Sequence, residues 1–332
     1  MSFDMSFKIL FNGFRHGHIK GLYQKVASSA VAEIAGCIEP NDEARAAAES
    51  TLGAVFSTRS YDEWLASDID AVAIGNAYGE RGQMIINALK AGKHIIADKP
   101  ICTSLSELEE IERISREKNL VVACMLDLRY LPQTAKACEI LDSGALGEVR
   151  NISFNGQHAI GYGSRPSWYF EEGMHGGTIN DLAIHGVDLV RMLTHKEFSK
   201  IDAARVWNSY AYKNKDFKDS ALFMARLEGD AGVLADVSYS APSPQTFSLP
   251  SYWEIRLWCE KGMLTFNWTD ASVTVYADGE KKPIKYTDLP SGGDYLAEFL
   301  EEVENSGRRV TENVFASTKI ALTLQAEADK EV

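Results

Sequence analysis

Cysteine is scarce and follows no pairing pattern: Cys37, Cys102, Cys124, Cys138 and Cys259 are odd in number and never in CxxC spacing. A disulfide framework and a zinc knuckle are both disfavoured, and buried thiols in a reducing compartment fit better. Net positive charge is missing too, since 34 Lys and Arg stand against 47 Asp and Glu, a formal −13. Nucleic acid and anionic membrane surfaces both need basic patches, so neither is expected as a partner. A local basic pocket for a phosphate is still allowed. No apolar run reaches the roughly 20 residues that cross a bilayer. The opening MSFDMSFKILFNG has no basic stretch ahead of a long apolar core, so no signal peptide is expected, and Met5 offers a second possible start. Internal repeats and low-complexity segments are absent as well. The expected location is the cytoplasm.

What is there reads as an ordinary globular chain of 332 residues, 45% hydrophobic and 24% charged, long enough for two domains. Over the first 125 residues, short apolar runs (Phe7 to Phe11, Ile34 to Ile38, Ala71 to Gly75, His94 to Ala97, Leu120 to Cys124) alternate with helical patterns near 18–29, 41–50, 80–91 and 104–118. Alternating β and α segments of this length predict a doubly wound parallel sheet, with its ligand at the carboxyl ends of the strands. After Arg129 the rhythm changes. Pro132 opens a helix to about Leu141, and SGALGE stops it and is followed by a strand. Beyond the helix bearing Asp181, long β-like stretches come at 199–212, 217–228, 231–240, 252–260, 263–268 and 272–277. Tight turn signals between them predict a large, mainly antiparallel sheet. Two helices, near 293–305 and 311–328, end the chain. The expected domains are 1–126 and 127–332, with the C-terminal helix free to pack back on the first.

Two patches carry the chemistry. Lys99-Pro100 closes a buried-looking strand, and GGTINDLAIHGVD places Asp181 and His185 one helical turn apart. A helix turns about 100° per residue, so Asp181, His185 and Asp188 share one arc, with Ile179, Leu182, Ala183, Gly186, Val190 and Leu193 opposite. A carboxylate, an imidazole and an ammonium make an acid/base set suited to proton transfer coupled to redox chemistry. His175, Asp181 and His185 could also be drawn together as a zinc site. Asp188 reads as structural.

The first strand ends in Asn12-Gly13, and Phe14-Arg15-His16-Gly17-His18 leads into a helix, where a dinucleotide's pyrophosphate would meet backbone N–H groups. The glycine fingerprint is incomplete: counting from Gly13, Arg15 and His18 stand at the second and third positions. Arg15 could itself pair with phosphate. Glu39 ends the second strand, where an acid can hold ribose hydroxyls, and Pro40-Asn41-Asp42 supplies no cation for a 2′-phosphate. NAD is therefore expected over NADP.

DAVAIGNAYGERGQMIINALKAGKHIIADKP, LDSGALGEVRNI and GGTINDLAIHGVDLVRML, in that order, resemble the Gfo/Idh/MocA oxidoreductases, named for glucose–fructose oxidoreductase and inositol dehydrogenase. The resemblance spans nearly the whole chain. It implies a Rossmann domain followed by an α/β domain with a large open, mainly antiparallel sheet that relatives use to form homodimers or homotetramers. It also implies hydride exchange between a nicotinamide and a carbon bearing a hydroxyl on a sugar, inositol or related polyol. Lys99 matches the catalytic lysine, Asp181 the helix aspartate and His185 the catalytic histidine. Gly13, Glu39 and Lys99 match positions touching the cofactor, and the candidate cofactor set as a whole is Gly13, Phe14, Arg15, His16, Glu39, Asn76, Asp98 and Lys99, with Arg15 a departure from the family. The resemblance implies no metal. Asp98 stands where the family has glutamate, Asn76-Ala77 where Thr-Pro is common, and Arg81 where histidine is usual. Arg129, Tyr162, Arg165 and Trp168 are substrate-contact candidates, with interdomain packing the competing role for Trp168. Two other readings stay open: an NAD-dependent glycosidase of the same fold, and a nicotinamide-binding regulator without turnover.

Overall fold

The computed structural model describes residues 6–242, 249 and 251–330; Met5 lies outside them. The chain divides into two compact units. The first runs through Met125 and adds Pro166–Gly176 and Asp294–Lys319; the second holds Leu126–Arg165, Gly177–Gly293 and the chain from Ile320.

In the first unit, β1 (Phe7–Asn12), α1 (His18–Ala27), β2 (Ala32–Ile38), α2 (Asp42–Leu52), α3 (Tyr61–Leu65), β3 (Ala71–Ile74), α4 (Tyr78–Lys90), β4 (His94–Ala97), α5 (Leu105–Lys118) and β5 (Val122–Cys124) follow one another. The five strands are parallel, in the order β2-β1-β3-β4-β5. Strand order reverses between β1 and β3, and that switch point is where such a sheet opens to a ligand. β3 and β5 are buried along their whole length, which is why they read as plain apolar runs. The helices start where the sequence offers caps: Asn41 accepts from Ala44 N–H, Ser60 and Glu63 form a capping box, and Ser104 accepts from Glu107 N–H. α3 is an addition to the expected elements, because five residues are too few for periodicity to register.

The second unit holds α6 (Pro132–Asp142), β6 (Val149–Ala159), a π-helical turn at Ile179–Ala183 running into α7 (Ile184–Thr194), and then β7 (Phe198–Trp207), β8 (Ser220–Leu227), β9 (Gly232–Ala241), β10 (Ile255–Cys259), β11 (Gly262–Phe266), β12 (Val273–Ala277) and β13 (Ile284–Tyr286). Eight strands form one sheet in the order β13-β12-β11-β10-β6-β9-β8-β7. Neighbours are antiparallel except β6 and β9, which run parallel and place a strand made before α7 in the middle of the sheet. α7 lies close on β6: a Cβ on Gly186 would sit 2.1 Å from the Phe154 ring.

The chain ends with α8 (Tyr295–Glu304) and α9 (Arg309–Asp329). α8 belongs to the Rossmann core, where Leu296, Phe299 and Leu300 join Phe7, Ile9 and Phe11. Phe299 is fully buried and meets Phe7 edge-on at 5.9 Å. Among the described residues no helix is long and apolar enough to cross a membrane.

Truncating Phe299 tests whether α8 is part of that core. Phe299→Ala should destabilise the protein by about 3–5 kcal/mol, the usual cost of emptying a buried aromatic site. Urea denaturation followed by tryptophan fluorescence measures it, and a loss below about 1 kcal/mol would remove α8 from the core.

Candidate active site

The switch point is built by contact between two loops. Gly13 has φ +89°, and a Cβ there would lie 2.5 Å from the backbone nitrogen of Asn76, so only glycine lets the β1 and β3 loops meet. Gly13 N–H donates to Ile38 carbonyl at 2.9 Å, and Arg15 N–H to Gly75 carbonyl at 2.8 Å. Phe14 turns its ring into the core against Phe56 and Tyr23, while its N–H donates to Glu39 at 2.6 Å. The other Glu39 oxygen accepts from Asn41 N–H at 2.8 Å. Burial pushes the Glu39 carboxyl up, and those two N–H groups oppose the shift.

At the end of β4, Asp98 is fully buried and serves three partners. Its carboxylate meets His16 Nδ1 at 2.6 Å, His18 Nδ1 at 3.2 Å and Arg81 Nη2 at 3.5 Å. Burial alone would raise this carboxyl, but His16 and Arg81 hold it well below the usual range. His16 is pushed down to about 4, chiefly by burial, with Asp98 pulling the other way. His16, His18 and Asp98 bring three donor atoms within 4.8 Å of one another, a spacing that can suit a metal ion. The surrounding field opposes a cation, because Arg81 sits on the same carboxylate and the positive end of α1 lies beside the imidazoles.

Arg81 is itself fully buried and acts as a clamp. Its Nε donates to Asn76 carbonyl at 2.8 Å, and Nη1 donates to the carbonyls of Lys99 and Pro100. Lys99 is 3% exposed, with its ammonium 3.5 Å from the Tyr78 hydroxyl. Tyr78 in turn shares a hydrogen bond with Tyr169 at 2.8 Å. Trp168, 1% exposed, donates from its indole to Arg15 carbonyl at 3.3 Å. The ring of His175 lies 5.4 Å from Tyr169 within the same unit.

Do these residues fit a dinucleotide? Gly17, the N-cap of α1, gives no side-chain cap, so no side chain competes with an anion for the amide end of the helix. Asn76 Oδ1 is buried at the switch point without a hydrogen-bond partner, an acceptor waiting for a donor. A carboxylate offers about four acceptor positions, and two at Glu39 are taken, which leaves room for hydroxyls. The set fits.

In the second unit, Asp181, His185 and Asp188 are all buried, at 1%, 6% and 1% exposure. The expectation of one packed and one presented helix face gives way to a helix enclosed on both. Its first turn is π-helical, a widening common at functional sites, and Gln325 Oε1 accepts from Ile179 N–H at 2.9 Å to cap it. Asp181 accepts a hydrogen bond from the Tyr239 hydroxyl. The ring of His185 stands edge-on to Trp253 at 5.4 Å. Arg165 donates to the carbonyls of Ala159 and Ile160 and lays its guanidinium 4.9 Å from the Tyr239 ring. Arg129 pairs with Asp188 at 2.8 Å, a buried ion pair that ties the turn after β5 to α7. Tyr162 accepts from Lys213 N–H and meets Tyr212 at 5.2 Å. Sequence reasoning missed Tyr78, Tyr239, Trp253 and Gln325, for which composition and spacing give no signal. Arg81 was visible only as a departure from the usual histidine.

The His16 shift has a consequence for stability. Its folded value lies below the ordinary 6.5, so the unfolded chain takes the proton first. His16 thus contributes stability that is complete above about pH 6.5 and is lost as pH falls through about 4. The melting-temperature gap between wild type and His16→Gln should narrow over that window. Calorimetry at several pH values checks this, and a constant gap would contradict it.

Comparison with known proteins agrees with this geometry. Residues 11–125 match the model described as "Oxidoreductase family, NAD-binding Rossmann fold", and 134–265 match the GFO/IDH/MocA C-terminal domain. Levoglucosan dehydrogenase of Pseudarthrobacter phenanthrenivorans is 30% identical over 171 residues, 50% of this chain and 43% of its own. The NAD(+)-dependent scyllo-inositol 2-dehydrogenase of Bacillus subtilis is 29% identical over 177 residues, 53% of this chain and 50% of its own. The matched regions thus span about half the length of these curated relatives or less. A solved levoglucosan dehydrogenase in complex with NADH and levoglucosan superposes with TM-score 0.81 at 19% identity, covering 99% of this chain and 98% of that one. An NAD-binding Rossmann unit with a buried strand-end lysine, followed by an eight-stranded sheet unit carrying the Asp181–His185 helix, makes this chain a member of the Gfo/Idh/MocA oxidoreductase family.

Proposed function

We propose that this protein is an NAD-dependent dehydrogenase acting on a secondary hydroxyl of a sugar, inositol or related polyol. The observation that carries the reading is Lys99, an ammonium only 3% exposed at the ligand edge of a nucleotide-binding sheet. Lysine is almost never buried so fully without a task. The relatives, named as dehydrogenases of levoglucosan and scyllo-inositol, support the substrate class.

Gly13, Arg15, Glu39, Asn76 and the amide end of α1 would hold NAD, with Phe14 N–H, His16 and Asp98 shaping the loop around it. Bound NAD supplies the nicotinamide that accepts a hydride. His185 takes the substrate hydroxyl proton, a role suited to an imidazole near neutral pH. Lys99 is the donor suited to stabilise negative charge developing on a substrate oxygen. Asp181, held by the Tyr239 hydroxyl, binds a neighbouring substrate hydroxyl. Arg165 and Trp168 are each held by backbone carbonyls of their own unit, while Arg129 acts through Asp188. The five cysteines are all free thiols, which suits the cytoplasm.

The second unit's sheet supports a homodimer or homotetramer. Met224 pairs with Leu234 across β8 and β9, and both stay half exposed along with Trp258, an apolar face that a partner sheet would cover.

Two measurements test these readings. Incubation with NAD+ and levoglucosan, scyllo-inositol or D-xylose should build up NADH absorbance, and His185→Ala should slow it by about 10²–10⁴-fold. Cleavage of a chromogenic glycoside without net NADH would instead favour the glycosidase, and NADH binding without turnover across the panel the regulator. For the assembly, Leu234→Arg should shift light-scattering mass toward the monomer. A wild type that is already monomeric would refute the interface.

A further inference from the structure

We propose that Tyr78 is a positioning residue for Lys99 and that Tyr169 locks it in place. The proposal rests on the dehydrogenase reading, in which Lys99 meets the substrate oxygen. A lysine side chain is a flexible four-carbon stem with three rotatable donors, so an ammonium held to one geometry needs an anchor. Tyr78 supplies one at the first residue of α4, fully buried, with its hydroxyl 3.5 Å from Lys99 Nζ and 2.8 Å from the Tyr169 hydroxyl.

The sense of this chain of hydrogen bonds follows from the donor inventory. An ammonium has no acceptor, so the Tyr78 oxygen accepts from Lys99, while in the bond to Tyr169 either hydroxyl can donate. The ammonium also lies 5.5 Å from the centroid of the Tyr78 ring, within cation–π range.

The ring has little freedom. Arg81 places its guanidinium 4.5 Å from the Tyr78 centroid, Trp168 meets the ring edge-on at 4.8 Å, and His16 does so at 5.4 Å. Tyr169 and Trp168 both come from Pro166–Gly176, the segment that the first unit borrows from later in the chain. Met174 carbonyl accepts from Gly79 N–H at 2.9 Å and fixes that segment to the start of α4. A Cβ on Gly79 would lie 2.2 Å from Gly173 carbonyl, so the two backbones run in contact. The seat of Lys99 is thus assembled with a stretch about seventy residues downstream.

Tyr78→Phe and Tyr169→Phe keep the rings and remove one hydroxyl each. NMR of isotope-labelled lysine in the NADH-bound protein reads the seat without any substrate, with the Lys99 signal assigned by its loss in Lys99→Met. The Lys99 signal should move in Tyr78→Phe and in Tyr169→Phe, and the double variant should move it no further than Tyr78→Phe does, because the two act in series. With the panel sugar turned over fastest, kcat should fall about 10- to 100-fold, with KM and NADH affinity unchanged. An unmoved Lys99 signal in Tyr78→Phe overturns the proposal, and if that variant fails to fold, an unmoved signal in Tyr169→Phe overturns it equally. Full turnover by Lys99→Met overturns instead the role given to Lys99, and the lysine signal then decides the seat by itself.

Discussion

A single buried guanidinium holds the chemistry of the first unit in register. Arg81 is bonded to the carbonyls of Asn76, Lys99 and Pro100 and paired with Asp98, so it joins the loop after β3 to the end of β4. Arginine can do this because its five donors radiate in a fixed plane; histidine, with two ring nitrogens, could reach fewer of these acceptors. The pair is costly to bury and more costly to break, since removing one partner leaves the other charged in a dry interior. Such a clamp contributes geometry more than stability. Lys99 inherits that geometry through its own backbone carbonyl.

Charge around Asp98 is arranged to attract anions. Arg81 offsets the carboxylate, and His16, pushed down to about 4, is neutral at pH 7. The positive potential comes from Lys99, next in the chain, and from the amide end of α1. On a chain with net charge −13, this concentration of positive potential is local and is what a pyrophosphate requires. The incomplete glycine fingerprint is therefore compatible with the fold's usual ligand. Gly13 supplies the one contact that admits no side chain, and the bulk of Phe14 is turned into the core.

The second unit solves a different problem, which is how to bury ionisable groups on a helix without losing them. Asp181 is answered by a phenol, Asp188 by Arg129, and the open start of the helix by Gln325. The π turn at Ile179–Ala183 rotates these side chains away from the spacing a regular helix would give. Trp253 meets His185 edge-on and Tyr239 bonds Asp181, so aromatic rings enclose these polar groups.

Much of this was legible from residues alone, because it depends on near neighbours in the chain. Apolar runs and helical periodicity marked β1 through β5 and their helices apart from α3, Lys99 announced itself as a lysine closing a buried strand, and Asn12-Gly13 marked the loop expected to meet a ligand. Asp181 and His185 stood out by their spacing. Tertiary structure alone decided what those residues touch. Arg81 became a clamp, Tyr78 and Tyr169 found each other across ninety-one positions, α8 entered the Rossmann core, and β6 paired in parallel with β9. The reason is physical: periodicity and capping act over a few residues and leave a trace in the sequence, whereas a hydrogen bond between distant segments exists only once packing has brought them together.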